Sequence, residues 1–169
     1  MEMLLRIIDD GMSTRLYHRV CDDKGLCYDV TAGYDGYKDD GILDFAAGCQ
    51  HTRTSVVTKE ILELVAELAR HGPNDDELAK AKKRYGWDSR AMLDGTEEMA
   101  ALHGIGQLFE RPITIDERRA RMEAVTKAQI RDVAALIAQP DRLNVVAVGL
   151  LEDGEDERFE AVVEGFRGA

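Results

Sequence analysis

Histidine spacing decides which hydrolytic chemistry this chain can carry. Zinc-dependent peptide hydrolysis on one helix needs two histidines about four positions apart, with a glutamate beside one of them as general base. The histidines are His18, His51, His71 and His103, and no two of them can share a helical turn. A zinc site assembled from distant loops is the alternative, but acidic residues do not cluster around these histidines. We therefore predict that the isolated chain holds no metal, needs no cofactor and cleaves no peptide.

The cysteines offer a second kind of chemistry. Cys21, Cys27 and Cys49 are too few for a disulfide framework and lack the spacing of a metal-binding C-x-x-C motif. Cys27 and Cys49 fall on two strands that we expect to pair, and alternation turns Cys27 away from the apolar face and Cys49 towards it. A bridge between them would need a β-bulge. We expect reduced thiols.

The balance of charge limits the partners. With 22 basic and 33 acidic residues, the net charge of −11 repels phosphate backbones and anionic lipid surfaces. We expect no nucleic-acid partner and no membrane partner. No apolar run is long enough to span a bilayer, and the first residues lack the basic start of a signal peptide. The sequence therefore favours a cytoplasmic location, although a longer parent chain with a signal is an open alternative.

A helix-to-strand corner at residues 11–30 organises the rest of the chain. Leu16 and Val20 follow helical spacing, Gly25 is suited to a left-handed stop, and apolar alternation begins at Leu26. The preceding helix is predicted over 4–23, with Gly11 either inside it or marking a break. The chain is predicted to turn sharply from helix to strand here.

The remaining pattern predicts one α+β domain over residues 1–169, with an antiparallel sheet packed against several helices. Two strands, 26–36 and 41–50, are joined by a hairpin, and the apolar run 143–150 predicts a third. Helices are predicted from residue 54 to 71, from a cap at Asn74 or Asp75, and from 96 onwards. Further helices are predicted from caps at Thr114 or Asp116 and at Thr126, and in the last residues.

Several segments together resemble the C-terminal-type domain of the insulinase/pitrilysin zinc metallopeptidases, the group that includes the mitochondrial processing peptidases. The resemblance covers roughly residues 4–149. Its segments are Gly-Met-Ser-Thr-Arg-Leu (11–16), Gly-Leu-Cys-Tyr (25–28), Asp-Asp-Gly (39–41), Pro-Asn-Asp-Asp-Glu-Leu-Ala-Lys (73–80), Val-Thr-Lys-Ala-Gln-Ile (125–130) and Leu-Asn-Val-Val-Ala-Val-Gly (143–149). It implies the metallopeptidase half found in LuxS-type and processing-peptidase-like folds.

The resemblance also implies a role. In that family the zinc motif sits in a partner domain, in cis or in trans, and the C-terminal-type domain encloses peptide substrate without catalysing the reaction. An arginine seven positions before the tyrosine of Gly-Leu-x-Tyr binds the substrate backbone with it. Tyr28 matches that tyrosine, but Cys21 occupies the arginine position. Arg19, the nearest arginine, lies two positions earlier, about 200° round a helix. The candidate substrate-binding residues are therefore Tyr28 and Arg19.

Two functions remain open at this point. One is a substrate-enclosing, non-catalytic domain of a two-part zinc metallopeptidase. The alternative is a structural or interaction domain of the same family without a proteolytic role, which the cysteine at position 21 favours.

The resemblance finally implies a sheet that lacks its first strands. The family domain opens with two strands before the Gly-Met-Ser-Thr-Arg helix, whereas this chain begins almost inside that helix. An edge with unpaired backbone groups beside apolar residues is a site for association. We therefore expect a fragment of a larger protein that self-associates, as a two-fold dimer, or meets its partner domain.

Overall fold

The computed structural model describes residues 1–109, 112–150 and 152–167. Its two strands are β1 (Cys27–Gly36) and β2 (Gly41–Cys49). Its helices are α1 (Glu2–Ile8), α2 (Arg15–Tyr17) with a π-helical continuation (His18–Asp22), α3 (Thr54–His71), α4 (Asp75–Ala91), α5 (Thr96–Leu108), α6 (Ile115–Glu123), α7 (Lys127–Ile137) and α8 (Glu155–Arg167). Across the described ranges, none of these helices is both long and apolar enough to cross a lipid bilayer.

Three helices begin at capping boxes, which are local signals. In each, the N-cap side chain accepts a hydrogen bond from the backbone three residues on, and that third residue's side chain accepts one from the N-cap backbone. The caps are Asn74 for α4, Thr114 for α6 and Thr126 for α7. The helix starts predicted at these residues are confirmed, and the alternatives Asp75 and Asp116 are not the caps.

Gly11 marks a break rather than the interior of one helix. α1 ends at Ile8, and Gly11 has a φ of 99°, which an L side chain rarely adopts. The Thr14 hydroxyl donates a hydrogen bond to the carbonyl of Gly11 at 2.6 Å and closes the turn. α2 then starts at Arg15.

The core gathers side chains from α1, α2, α3, α4 and α7, with Val30 from β1. Its fully buried side chains include Leu4 and Ile8 of α1, Leu16 of α2, and Leu64 and Leu68 of α3. α8 also packs against α3, and α4 packs against α1 and α6. The predicted α+β class, an antiparallel sheet against several helices, is confirmed.

α8 is attached to α3 through a buried carboxylate. Glu155, the first residue of α8, is only 1% exposed. Its carboxylate accepts a hydrogen bond from the backbone N–H of Ser55 at 2.7 Å and one from Arg158 at 2.8 Å. Because the first N–H groups of a helix have no partner within it, Glu155 supplies one that α3 lacks.

The predicted third strand at 143–150 is wrong. Within the described residues the sheet contains β1 and β2 alone, and segment 143–150 pairs with neither. Val146, Val148 and Leu150 are exposed, although the apolar run predicted a strand buried on one face or on both. A strand exists only when a neighbour completes its hydrogen-bond ladder, and no neighbour lies along this segment in the described part of the chain.

Candidate functional site

The corner is built by a widened helical turn that ends at a glycine. The π-helical turn closes with a hydrogen bond from Asp23 N–H to the carbonyl of His18, at 2.8 Å. Gly25 follows with a φ of 54°, and its N–H donates to the carbonyl of Cys21 while Leu26 N–H donates to that of Val20. These bonds are those of a Schellman stop enlarged by one residue, as a π-helix requires. The predicted glycine stop is confirmed.

A β-bulge at the start of β1 sets the direction of Tyr28. Cys27 faces Cys49 across the sheet and Asp29 faces Gly48, so Tyr28 is the extra residue of β1. Tyr28 is therefore 96% exposed, while Val30 turns into the core. Strict alternation predicted Tyr28 on the apolar face with Val30, and that placement is wrong because the bulge shifts the register.

Arg19 is engaged by a row of glutamates on α3. Its guanidinium contacts the carboxylates of Glu60, Glu63 and Glu67 at 2.7, 3.0 and 2.9 Å. Burial alone would raise the pKa of Glu60, but hydrogen bonds from Lys24 and Arg19 outweigh it and hold the pKa below its ordinary value. The structure thus places Arg19 in an ion-pair network, with Tyr28 exposed on the strand beyond the turn.

The three cysteines meet at the same corner as free thiols. The sulfur of Cys21 lies 3.6 Å from that of Cys27, and Cys49 is the cross-strand partner of Cys27. All three side chains pack against the core. The bulge that a Cys27–Cys49 bridge would need is present, yet the thiols are unbridged.

Two of the sequence motifs contact each other through Arg15 and Glu77. The Arg15 guanidinium makes a two-pronged ion pair with the Glu77 carboxylate, whose second contact is 2.8 Å. Glu77 also accepts the N–H of Asn74 in the capping box. Burial would raise the pKa of Glu77, but the hydrogen bonds from Arg15 and Asn74 lower it overall. The sequence does not predict this contact, because it is purely tertiary.

A second candidate surface is a cleft of about 540 Å³ with both apolar and polar walls. It is lined by β2, by segment 143–150 and by apolar side chains of α3, including Val57, Ile61 and Val65. The edge of β2 that does not pair with β1 has no strand neighbour among the described residues. The cleft therefore brings unpaired backbone groups and apolar side chains together.

The histidines do not converge. His18 lies near Asp22 and Asp23, and His51 contacts Glu152 at 3.0 Å, while His71 ends α3 and His103 lies on α5. In the residues that the structure describes, no group of three or more His, Cys, Asp or Glu side chains is placed to hold a metal ion. The donors present therefore do not fit a zinc ion within this part of the chain.

The chain belongs to the peptidase M16 inactive domain family, whose model matches residues 1–85. A crystal structure of the peptidase M16 inactive domain from Pseudomonas fluorescens superimposes with a TM-score of 0.73. The superposition covers 80% of this chain and 32% of the Pseudomonas fluorescens chain. Their sequence identity is 20%, so this likeness speaks for the fold alone. The resemblance inferred from the motifs is confirmed.

The curated relatives include uncharacterised zinc proteases and a mitochondrial-processing peptidase subunit. An uncharacterised zinc protease of Streptomyces coelicolor is 28% identical over 165 residues, covering 96% of this chain and 36% of the relative. One from Bacillus subtilis is 26% identical over 140 residues, covering 82% and 34%. Mitochondrial-processing peptidase subunit alpha of Neurospora crassa is 27% identical over 131 residues, covering 73% and 22%. The chain spans about a third of the length of the two bacterial relatives.

Proposed function

We propose that this chain is the non-catalytic half of a two-part zinc metallopeptidase and binds peptide beside a zinc-bearing domain, in cis or in trans. The observation that carries the proposal is the position of Tyr28. The chain's membership of an inactive-domain family and its zinc protease relatives support a partner domain that supplies the metal.

Tyr28 is suited to peptide contact because the fold makes little use of its side chain. An aromatic ring that is 96% exposed loses the burial that normally stabilises it. The bulge nevertheless holds its backbone between two paired positions of the sheet. A phenol on a fixed strand is suited to donate a hydrogen bond to a substrate carbonyl.

The test uses the complete two-part peptidase with Tyr28→Phe, which removes only the hydroxyl. We expect kcat/KM to fall by about ten-fold or more, as for loss of a transition-state hydrogen bond, with little change in stability. Tyr37→Phe is the matched control, because Tyr37 is also exposed and lies in the hairpin turn directly after β1. If Tyr28→Phe keeps the same kcat/KM as Tyr37→Phe and the unmodified protein, substrate contact by the Tyr28 hydroxyl is rejected.

The alternative is a structural or interaction domain, and two observations favour it. Cys21 stands at the position that the resemblance assigns to an arginine, and Arg19 is held by three glutamates. Freeing Arg19 for substrate would leave a nearly buried Glu60 with fewer partners, which is costly. This alternative predicts that the Tyr28→Phe variant keeps full activity. It also predicts that the partner domain fails to assemble when this chain is absent.

Metal content tests the assignment of zinc to the partner. We expect the purified chain to hold no stoichiometric zinc and to cleave no peptide, because its histidines lie on separate elements. One tightly bound zinc per chain in elemental analysis would contradict this division of labour. We also propose a cytoplasmic location, supported by three free thiols, which are typical of reducing compartments.

Self-association is proposed from the cleft beside segment 143–150. Pairing of the free β2 edge with another polypeptide would satisfy its backbone groups and cover the exposed side chains of segment 143–150. A second copy in a two-fold dimer is the occupant we expect for the chain alone. Light scattering should give a dimer mass that falls on dilution, and a monomer mass at every concentration would exclude the dimer.

A further inference from the structure

Cys21 and Cys27 form a pair of neighbouring thiols at the base of the Tyr28 bulge. Their sulfur atoms are 3.6 Å apart, which is contact distance for two thiols. A disulfide needs a separation of about 2.05 Å, so small side-chain rotations would bring the sulfurs within bonding range. The two residues lie on either side of the Gly25 turn.

The backbone of that turn keeps the pair together. The N–H of Gly25 donates to the carbonyl of Cys21 at 3.0 Å, and the N–H of Leu26 donates to that of Val20 at 2.9 Å. Gly25 provides the left-handed conformation that the turn requires. The dithiol is therefore held by a formed turn rather than by chance contact of mobile side chains.

Cys49 is the competing partner for Cys27, and its position shows which pair is in contact. It is the cross-strand partner of Cys27, which is the arrangement that sequence alone would choose for a bridge. Its sulfur instead approaches the Thr54 hydroxyl at 4.0 Å, while Cys27 shares a sulfur contact with Cys21. The geometry assigns the reactive pair to Cys21 and Cys27.

We propose that Cys21 and Cys27 are a thiol-oxidation site that forms an intramolecular disulfide with small-molecule disulfides such as oxidised glutathione. The Cys21 thiolate attacks one sulfur of glutathione disulfide, forming a mixed disulfide and releasing one glutathione thiolate. Cys27 then attacks the Cys21 sulfur and releases the second glutathione. The two cysteines lose two electrons in total, glutathione disulfide gains them, and the two thiol protons pass to the released glutathione.

The order of attack follows from the surroundings of Cys27. Burial, together with its hydrogen bond to Cys21, raises the pKa of the Cys27 thiol to about 12. Cys27 is therefore the poorer first nucleophile at neutral pH. Once Cys21 carries the mixed disulfide, its hydrogen bond with the Cys27 thiol is lost, and Cys27, which lies against that sulfur, loses its proton to the released glutathione thiolate and resolves the mixed disulfide. The resulting bond would fix the residue that directly precedes Tyr28. This inference does not depend on the proposed function.

The test treats the native full chain with oxidised glutathione, blocks remaining thiols with an alkylating reagent, and maps the products after trypsin digestion. Trypsin separates the cysteines, because cleavage after Arg19, Lys24 and Lys38 puts each in its own peptide. We expect loss of two of the three free thiols and a disulfide joining peptides 20–24 and 25–38. Reduced glutathione should restore all three.

Single serine variants separate this pair from its neighbours. Cys49→Ser should form the same linkage as the native chain, whereas Cys21→Ser and Cys27→Ser should lose it. A linkage between peptides 25–38 and 39–53 would overturn the assignment in favour of the cross-strand pair. Three thiols that stay reactive in folded protein, or disulfides only between chains, would overturn it as well. Circular dichroism on each variant confirms that the protein under test is folded.

Discussion

The corner at residues 11–30 and the cleft beside segment 143–150 are both rich in apolar residues, yet they differ sharply in burial. Leu16 in the corner is fully buried, whereas Leu150 in segment 143–150 is 87% exposed. The corner is enclosed by helices that each satisfy their own backbone, while segment 143–150 needs a strand beside it. An apolar sequence therefore predicts burial only where the partner element is present.

Truncating one leucine in each region gives the largest expected contrast. Leu16→Ala should lower the free energy of unfolding by about 3 kcal/mol, because it empties a site enclosed by the core. In the monomer, at a concentration below that at which the proposed dimer forms, Leu150→Ala removes the same atoms from an exposed site and should change it by less than about 0.5 kcal/mol. Urea denaturation of both variants measures the difference. Similar losses in the two would mean that segment 143–150 is buried in solution.

A charge in the corner should matter more than the same charge on a surface. Glu77→Gln keeps a residue able to cap α4 but leaves the Arg15 guanidinium without its counter-charge. We expect a loss of about 1 to 2 kcal/mol. Asp75→Asn is the matched control in the same helical turn, since its ion pair with Lys127 is exposed and should contribute less than about 0.5 kcal/mol.

The helices could be predicted from the sequence because their signals are local. Asn74 and Thr126 cap helices through contacts within a few residues, and Gly25 ends one by its own conformation. The third strand could not be predicted correctly, because pairing depends on a second segment. Tyr28 was misplaced for a similar reason, since one extra residue in β1 reverses the facing of its neighbours.

The candidate site stays a prediction from the resemblance, to which the structure adds contacts. The resemblance selected Tyr28 and Arg19, and the structure adds that Arg19 lies among glutamates of α3. The contact between Cys21 and Cys27 has only their spacing across a glycine turn as a sequence signal. The pairing of Arg15 with Glu77 has none, because helices far apart in sequence bring them together.

Acid should weaken the ion pairs that join the corner to carboxylates of α3 and α4. The pKa values of Glu60 and Glu77 are lower in the folded chain than the ordinary value of 4.5. A lowered folded-state pKa gives stability that is fully present above the unfolded value and is lost as pH falls through the folded value. The urea concentration at the unfolding midpoint should therefore decrease as the pH is lowered below about 4.5. In the Glu77→Gln variant this decrease should be smaller. A steeper decrease of the urea midpoint in that variant would contradict a contribution of Glu77 to the loss of stability in acid.

The smallest effect is expected from restoring the arginine of the resemblance. In a two-part complex with a zinc-bearing partner, Cys21→Arg should raise kcat a few-fold and leave peptide affinity nearly unchanged, if Tyr28 acts in the reaction. The gain is limited because Cys21 packs against the core and a guanidinium must leave that site to reach substrate. An unchanged kcat would favour the structural role. Cys49→Ser, which alters a neighbouring thiol, is the control.

The Glu155 carboxylate that caps α3 has a consequence for synthesis on the ribosome. Ser55 and Glu155 are 100 positions apart, so the first turn of α3 cannot receive this hydrogen bond until nearly all of the chain described here has been made. Contacts of such long sequence separation form late in folding, because the loop-closure entropy is paid before they contribute. Nascent chains released before residue 155 should therefore carry an α3 whose amino-terminal turn exchanges its amide hydrogens rapidly. The remainder of the helix is already protected in them by its own backbone bonds.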